Sequence, residues 1–205
     1  MRIVGIDLAG VEGRETGFCV LEKFDVKVKV LHSDREILEE TIGTKPLVVA
    51  VDAPLCLPKG RASLQVPGGP HLRKCDKDLQ SMGIKFFPIS LGPMRKLTER
   101  GMRLKESLES MGLRVIEVYP GGAQDILGLP RAKVNLRGLR EGLERLGLKN
   151  LPSSLNPHEL DAVTSAFVGK LYLEGAYLPL GDPEEGLIIM PRLPEPANQR
   201  LRFHR

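Results

Sequence analysis

Five side chains combine reactive chemistry with a suggestive setting: Asp7, Asp52, Glu117, His158 and Asp161. Asp7 ends the apolar run at residues 2–8, and Asp52 ends the run LVVAVD at 47–52. A single carboxylate at a strand end is often only a turn former or a helix cap. Two on adjacent parallel strands raise each other's pKa or demand a cation. A hard divalent ion such as Mg²⁺ or Mn²⁺ satisfies that demand, because it takes oxygen ligands.

His158 and Asp161 lie three residues apart in HELDAVTSAF and so share one face of a helix. Asp161 falls between Leu160 and Ala162, where a purely structural helix would carry another apolar residue. Glu117 sits within Val115-Ile116-Glu117-Val118-Tyr119, either on the open side of an edge strand or aimed at a ligand. Asp76, beside Arg73 and Lys74, is the kind of acid that pairs with a neighbouring base. Together the carboxylates suit two-metal hydrolysis, in which Asp7 is shared by both ions and no covalent nucleophile is needed. No convincing Ser/His/Asp or Cys/His set competes with them.

Elements that could position these residues follow from the pattern along the chain. Residues 2–8, 16–22 and 26–31 read as a three-stranded antiparallel meander. Ser33 with Glu36 forms a capping box for a helix that runs to Ile42 and stops at Gly43. The continuous apolar run at 47–52 fits a central strand covered on both faces. Residues 53–92 hold prolines and glycines early, with a helix expected over 71–82, and read as an insertion. A helix at 93–111, a strand at 114–120 and helices at 122–128 and 134–147 come next. Asn156 and Pro157 open the most regular helix, 157–174. Residues 186–191 form a last strand or apolar extension. A right-handed crossover through the first helix places 47–52 parallel to 2–8, so that Asp7 and Asp52 meet at the carboxyl ends of the strands.

The 205 residues, 41% hydrophobic and 27% charged, are enough for one core without disulfides. Cys19, Cys56 and Cys75 form no CxxC pair and read as reduced thiols. With no leader-like or membrane-length apolar run, the expected location is the cytoplasm, with no membrane contact. Net charge is only +4, but residues 59–105 carry eleven Lys and Arg against three acids. That stretch suits a polyanion lying over a metal site, with Arg73, Arg95, Lys96 and Arg100 holding backbone phosphates. With no Trp, three Tyr and six Phe, base-stacking surfaces look sparse.

IVGIDLAG, VVAVDAPL, VIEVYPGG and HELDAVTSAF, in this order, resemble an uncharacterised family of predicted nucleases with a ribonuclease-H-like fold. The resemblance covers residues 1–191. The first and last motifs are also similar to Holliday-junction resolvases, where acids end the first and fourth strands and a late helix carries a His/Asp-x-x-Asp-Ala signature. It implies an α/β fold: a mixed five-stranded sheet, three antiparallel strands then parallel ones, with helices on both faces. It also implies one domain at 1–191 with an insertion at 53–92, followed by a basic tail at 192–205. Carried over, Asp7, Asp52 and Asp161 become metal ligands, with His158 beside them. Glu117 belongs to the predicted-nuclease motif alone. The chain departs from the resolvases in having Asp52 where they have glutamate, and in the insertion.

The expected activity is hydrolysis of phosphodiester bonds in DNA or RNA with two Mg²⁺ or Mn²⁺ ions. Two other readings stay open. One is a nucleic-acid-binding scaffold without turnover. The other is an ATP-binding protein like actin or sugar kinases, for which the chain offers no second phosphate loop. A homodimer is the assembly that two symmetric cuts in a junction would need.

Overall fold

The computed structural model describes residues 1–192. The expected tail at 192–205 therefore lies, apart from its first residue, outside the described residues. Strand β1 (Arg2–Asp7) pairs antiparallel with β2 (Thr16–Glu22), which pairs antiparallel with β3 (Asp25–Leu31). Helix α1 (Asp34–Thr44) then crosses over to β4 (Val48–Asp52), parallel to β1. Ser33 and Glu36 close the anticipated capping box. The helix runs past Gly43 and ends at Lys45, whose φ of 51° is left-handed. Glycine was therefore not needed to stop it.

After β4 come α2 (Lys74–Ser81), α3 (Gly92–Ser110), β5 (Val115–Val118), α4 (Pro120–Ile126) and α5 (Leu136–Arg145). Pro120, expected to stop β5, also begins α4, a position where its missing N–H costs nothing. Helix α6 (Pro157–Leu173) is capped reciprocally by Asn156 and Glu159. Strands β6 (Tyr177–Asp182) and β7 (Gly186–Pro191) complete a seven-stranded sheet in the order β3-β2-β1-β4-β5-β7-β6.

The first five strands, in the order 3-2-1-4-5 with β2 reversed, are the ribonuclease-H-like arrangement. The expected count of five needs correction to seven. β7 adds to β5 in parallel and β6 closes the edge as a hairpin. Pro179 inside β6 obscured that strand in the sequence. An outer strand tolerates proline because a backbone N–H facing away from the sheet is dispensable.

Side chains alternate across the sheet, and two cores result. Ile3 of β1 with Val48 and Ala50 of β4 pack against Leu160, Val163 and Phe167 of α6. Val4, Ile6, Val49 and Val51 pack on the other side with Ile37 of α1 and with Leu104 and Leu108 of α3. Helices thus cover both faces, and the apolar residues 48–51 of β4 are buried on both. None of the described helices is long and apolar enough to cross a membrane.

A candidate carboxylate centre

Alternation decides where the acids point. Asp7 is in phase with Ile3, and Asp52 with Val48 and Ala50, so both face α6 at the carboxyl end of the sheet. They are register partners on neighbouring strands. Helix α6 lies unusually close to these strands because two glycines remove the obstacle. A Cβ on Gly5 would fall 2.2 Å from the Ala162 carbonyl oxygen, and one on Gly17 only 2.0 Å from that of His158. The close approach delivers the first turns of α6 to the strand ends. His158 Nδ1 lies 2.6 Å from Asp7 Oδ2.

Withdrawal from water, then the charges of Asp7, Asp161 and Glu117, push the Asp52 carboxyl well above the usual carboxylate range. Asp161 is pushed up to about 6, first by burial and then by Asp7. His158 is raised by its hydrogen bond to Asp7. Gln124 of α4, fully buried, opposes the rise at Asp161: its Nε2 donates to Asp161 Oδ1 at 2.7 Å and to Thr164 Oγ1 at 3.1 Å. Thr164 spends its own proton on the Leu160 carbonyl, which requires Gln124 to present its N–H side. Its Oε1 is left buried without a partner among the described residues.

Glu117 is out of phase with Ile116 and Val118, which face α6, yet at the end of β5 it still lines the carboxylate cavity and its charge reaches Asp52. It is buried, and its Oε2 accepts from Arg73 at 2.8 Å and from the Leu55 backbone at 2.7 Å. Arg73 also bonds both carboxylate oxygens of Asp76, the pairing anticipated for that acid. Breaking such a buried pair typically costs about 3–5 kcal/mol, because a charge is stranded. Glu117 therefore has a counter-ion and an anchoring contact of its own, fixing the segment after β4.

Two of the four basic residues expected to bind phosphate, Arg73 and Arg100, are engaged in ion pairs within the fold, although Arg73 also lines the carboxylate cavity. Arg73 and Arg100 are each only 2% exposed. Arg100 donates to Asp34, to the Ala9 carbonyl and to the His32 carbonyl, tying α3 to the loop after Asp7. Guanidinium groups with five directed donors are well suited to organising buried loops, and composition alone does not separate that use from phosphate binding. Arg95 and Lys96 are exposed but do not line the cavity that holds the carboxylates.

That cavity, about 490 Å³, is bounded by Asp7, Asp52, His158 and Asp161, by Phe86 and Phe87 of the 53–92 segment, and by Arg131 and Lys133. Arg131 bonds Asp125 and lies over the Tyr119 ring. Lys133 is exposed and makes no ion pair among the described residues. Sequence reasoning missed Lys133, since one basic residue in a loop looks like any other. Gln124 had a signal, a polar residue on the buried face of a helix.

The donor set fits a hard divalent cation. Asp52 and Asp161 carry raised pKa values, and no cationic side chain forms an ion pair with either among the described residues. No three His, Cys, Asp or Glu side chains among the described residues stand close enough to form a ready-made cage. The fit is to an open site completed by water, as Mg²⁺ prefers. The fold and these acids define an α/β protein of ribonuclease-H-like architecture with a carboxylate cluster at its strand ends.

The chain is distantly similar to Holliday-junction resolvases among solved structures. Two are structures of RuvC from Thermus thermophilus, one of them in complex with a Holliday junction substrate. Each is 16% identical, with a TM-score of 0.47, over 85% of this chain and 96% of the other. No protein-family model and no curated protein matches the chain. Neither likeness says which residues act; that rests on the geometry above.

The raised carboxyls imply a pH dependence of stability. In the folded, metal-free chain Asp161 holds its proton to about pH 6, whereas unfolded it would lose it near about 4. The native state therefore binds more protons across that window, and stability falls as pH rises through it. Asp52 extends the fall upward, and His158, stabilising only while protonated, acts in the same sense. Thermal unfolding in chelator should show a melting temperature lower at pH 7 than at pH 5, with a shallower slope in Asp161→Asn. A metal-free melting temperature that climbs over the same interval contradicts this assignment.

Proposed function

We propose that the protein is a metal-dependent phosphodiester hydrolase acting on nucleic acid. The observation that carries this reading is the convergence of Asp7, Asp52 and Asp161, from two strands and a helix, in one partly buried pocket. Burial first, and then the charges of the neighbouring acids, raise the Asp52 carboxyl well above its ordinary range. A fold seldom keeps such a cluster for stability, since burying uncompensated carboxylates opposes folding.

Asp7, Asp52 and Asp161 would hold Mg²⁺ or Mn²⁺, two ions in the reading favoured here. Bound there, such ions supply charge neutralisation at a phosphoryl oxygen and a water acidic enough to lose a proton near neutral pH. Gln124 orients Asp161 and favours its ionised form. His158 holds Asp7 in one rotamer and, 43% exposed, has access to the solvent for proton exchange. Lys133 lines the same cavity, where it can attract a phosphate and where its charge favours the ionised form of Asp161.

Labelled single-stranded, duplex, branched and RNA–DNA hybrid oligonucleotides, each with Mg²⁺, Mn²⁺ or chelator, test the proposal. Cleavage of at least one substrate with metal and none in chelator is the expected result. Metal-independent cleavage, or none of any substrate by a chain that binds Mn²⁺, would overturn it. The second outcome would favour the scaffold reading.

A further inference from the structure

Twelve large apolar side chains among the described residues are substantially exposed, and the two most exposed, Val134 at 79% and Phe87 at 73%, both line the carboxylate cavity. Single exposed apolar residues need no explanation. Two at the mouth of the same acidic pocket, contributed by chain segments far apart in sequence, are a different matter.

Phe87 is also displayed firmly. Ile84 and Ile89 on either side of it are buried, and Phe86 packs into the core. The Lys85 carbonyl accepts from Tyr119 Oη at 2.6 Å, and the Ser90 carbonyl accepts from Arg95 Nε at 2.8 Å. The strap is therefore pinned before and after the residue that points outward. Lys133, adjacent to Val134, puts a cation with no ion pair among the described residues beside this apolar mouth.

An exposed aromatic ring, an exposed aliphatic side chain and a lysine lining one cavity of about 490 Å³ suit one flat, uncharged ring attached to an anion. The volume is right for a small-ligand moiety and far too small for a duplex. We propose that Phe87 and Val134 receive an unstacked nucleobase, so that the preferred substrate presents unpaired nucleotides, as a single strand or a splayed junction arm does, rather than continuous duplex. The proposal rests on the hydrolase reading for its choice of ligand, but it makes a claim about binding that needs no turnover.

Its test uses the full chain in chelator, with a fluorescent single-stranded oligonucleotide and the same sequence as a blunt duplex at matched salt. Wild type should bind the single strand more tightly than the duplex. Phe87→Ala should weaken single-strand binding by about tenfold or more, Phe87→Tyr should restore it, and duplex affinity should not move. Since Phe87 is exposed, the alanine variant should fold as wild type does. Unchanged single-strand affinity in Phe87→Ala overturns the proposal. If metal-dependent cleavage persists in that case, the hydrolase reading stands while base stacking falls. A chain that binds no oligonucleotide in chelator overturns the proposal, and the cleavage assay with metal then decides the hydrolase reading separately. A dimer that dissociates on Phe87→Ala, with nucleic-acid affinity unchanged, would give the patch to a second copy of the chain and also overturn the proposal.

Discussion

An Asp7→Asn variant should lose metal-dependent cleavage by about a thousandfold or more and bind Mn²⁺ far more weakly, while unfolding at a temperature no lower than wild type. Asp7 faces Asp52 in the strand register and raises the pKa of both Asp52 and Asp161, so it is the acid common to the cluster. Asparagine keeps the shape and leaves one oxygen to accept from His158, but it removes the charge that a cation would neutralise. The same change relieves repulsion in the metal-free state, and for that reason no loss of stability is expected. Calorimetric titration with Mn²⁺ and a melt in chelator read the two effects separately. Wild-type metal affinity in this variant would take Asp7 out of the site.

The largest structural effect should come from a single methyl group at Gly17 or Gly5. The added Cβ of Gly17→Ala would sit 2.0 Å from the His158 carbonyl oxygen, and that of Gly5→Ala 2.2 Å from the Ala162 carbonyl oxygen. Both obstacles are backbone atoms of α6, which cannot turn aside as a side chain can. The helix must shift or the strand must bend, at an expected cost of about 3 kcal/mol or more. Because His158 and Asp161 ride on that helix, Mn²⁺ affinity should fall along with stability. Gly43→Ala is the matched control: it lies in α1 with nothing within 4 Å of the new methyl. Relative to glycine, alanine favours a helix interior by about 1 kcal/mol, so this variant should be slightly more stable than wild type. Chemical denaturation of the three variants decides the matter; equal stabilities would mean that close packing of α6 does not hold the centre together.

Much of this arrangement could be read along the chain. The apolar runs at residues 2–8 and 47–52 marked two buried strands, each closed by an aspartate. Capping boxes at Ser33 and Asn156 located two helix starts. These signals are local: they depend on neighbours within one turn or a few strand residues, which the sequence lists directly. The hairpin of β6 and β7 was harder to see, because Pro179 is acceptable only at an edge, and edge position is a property of the whole sheet.

The fate of the charged residues was not local. Arg73 and Arg100 look like any surface arginine in the sequence, yet folding encloses them among carboxylates and carbonyls supplied from elsewhere in the chain. Lys133, about two-fifths of the chain away from Asp52, reaches the cavity only through the packing that precedes α5. The sequence alone determined that acids end two buried strands, since apolar runs and their terminal residues are matters of order. Only the tertiary structure decided that Glu117 is tied to Arg73 beside them and that α6 comes close enough to join them. Those outcomes depend on which sheet face a residue occupies and on how nearly two backbones can approach where no side chain intervenes.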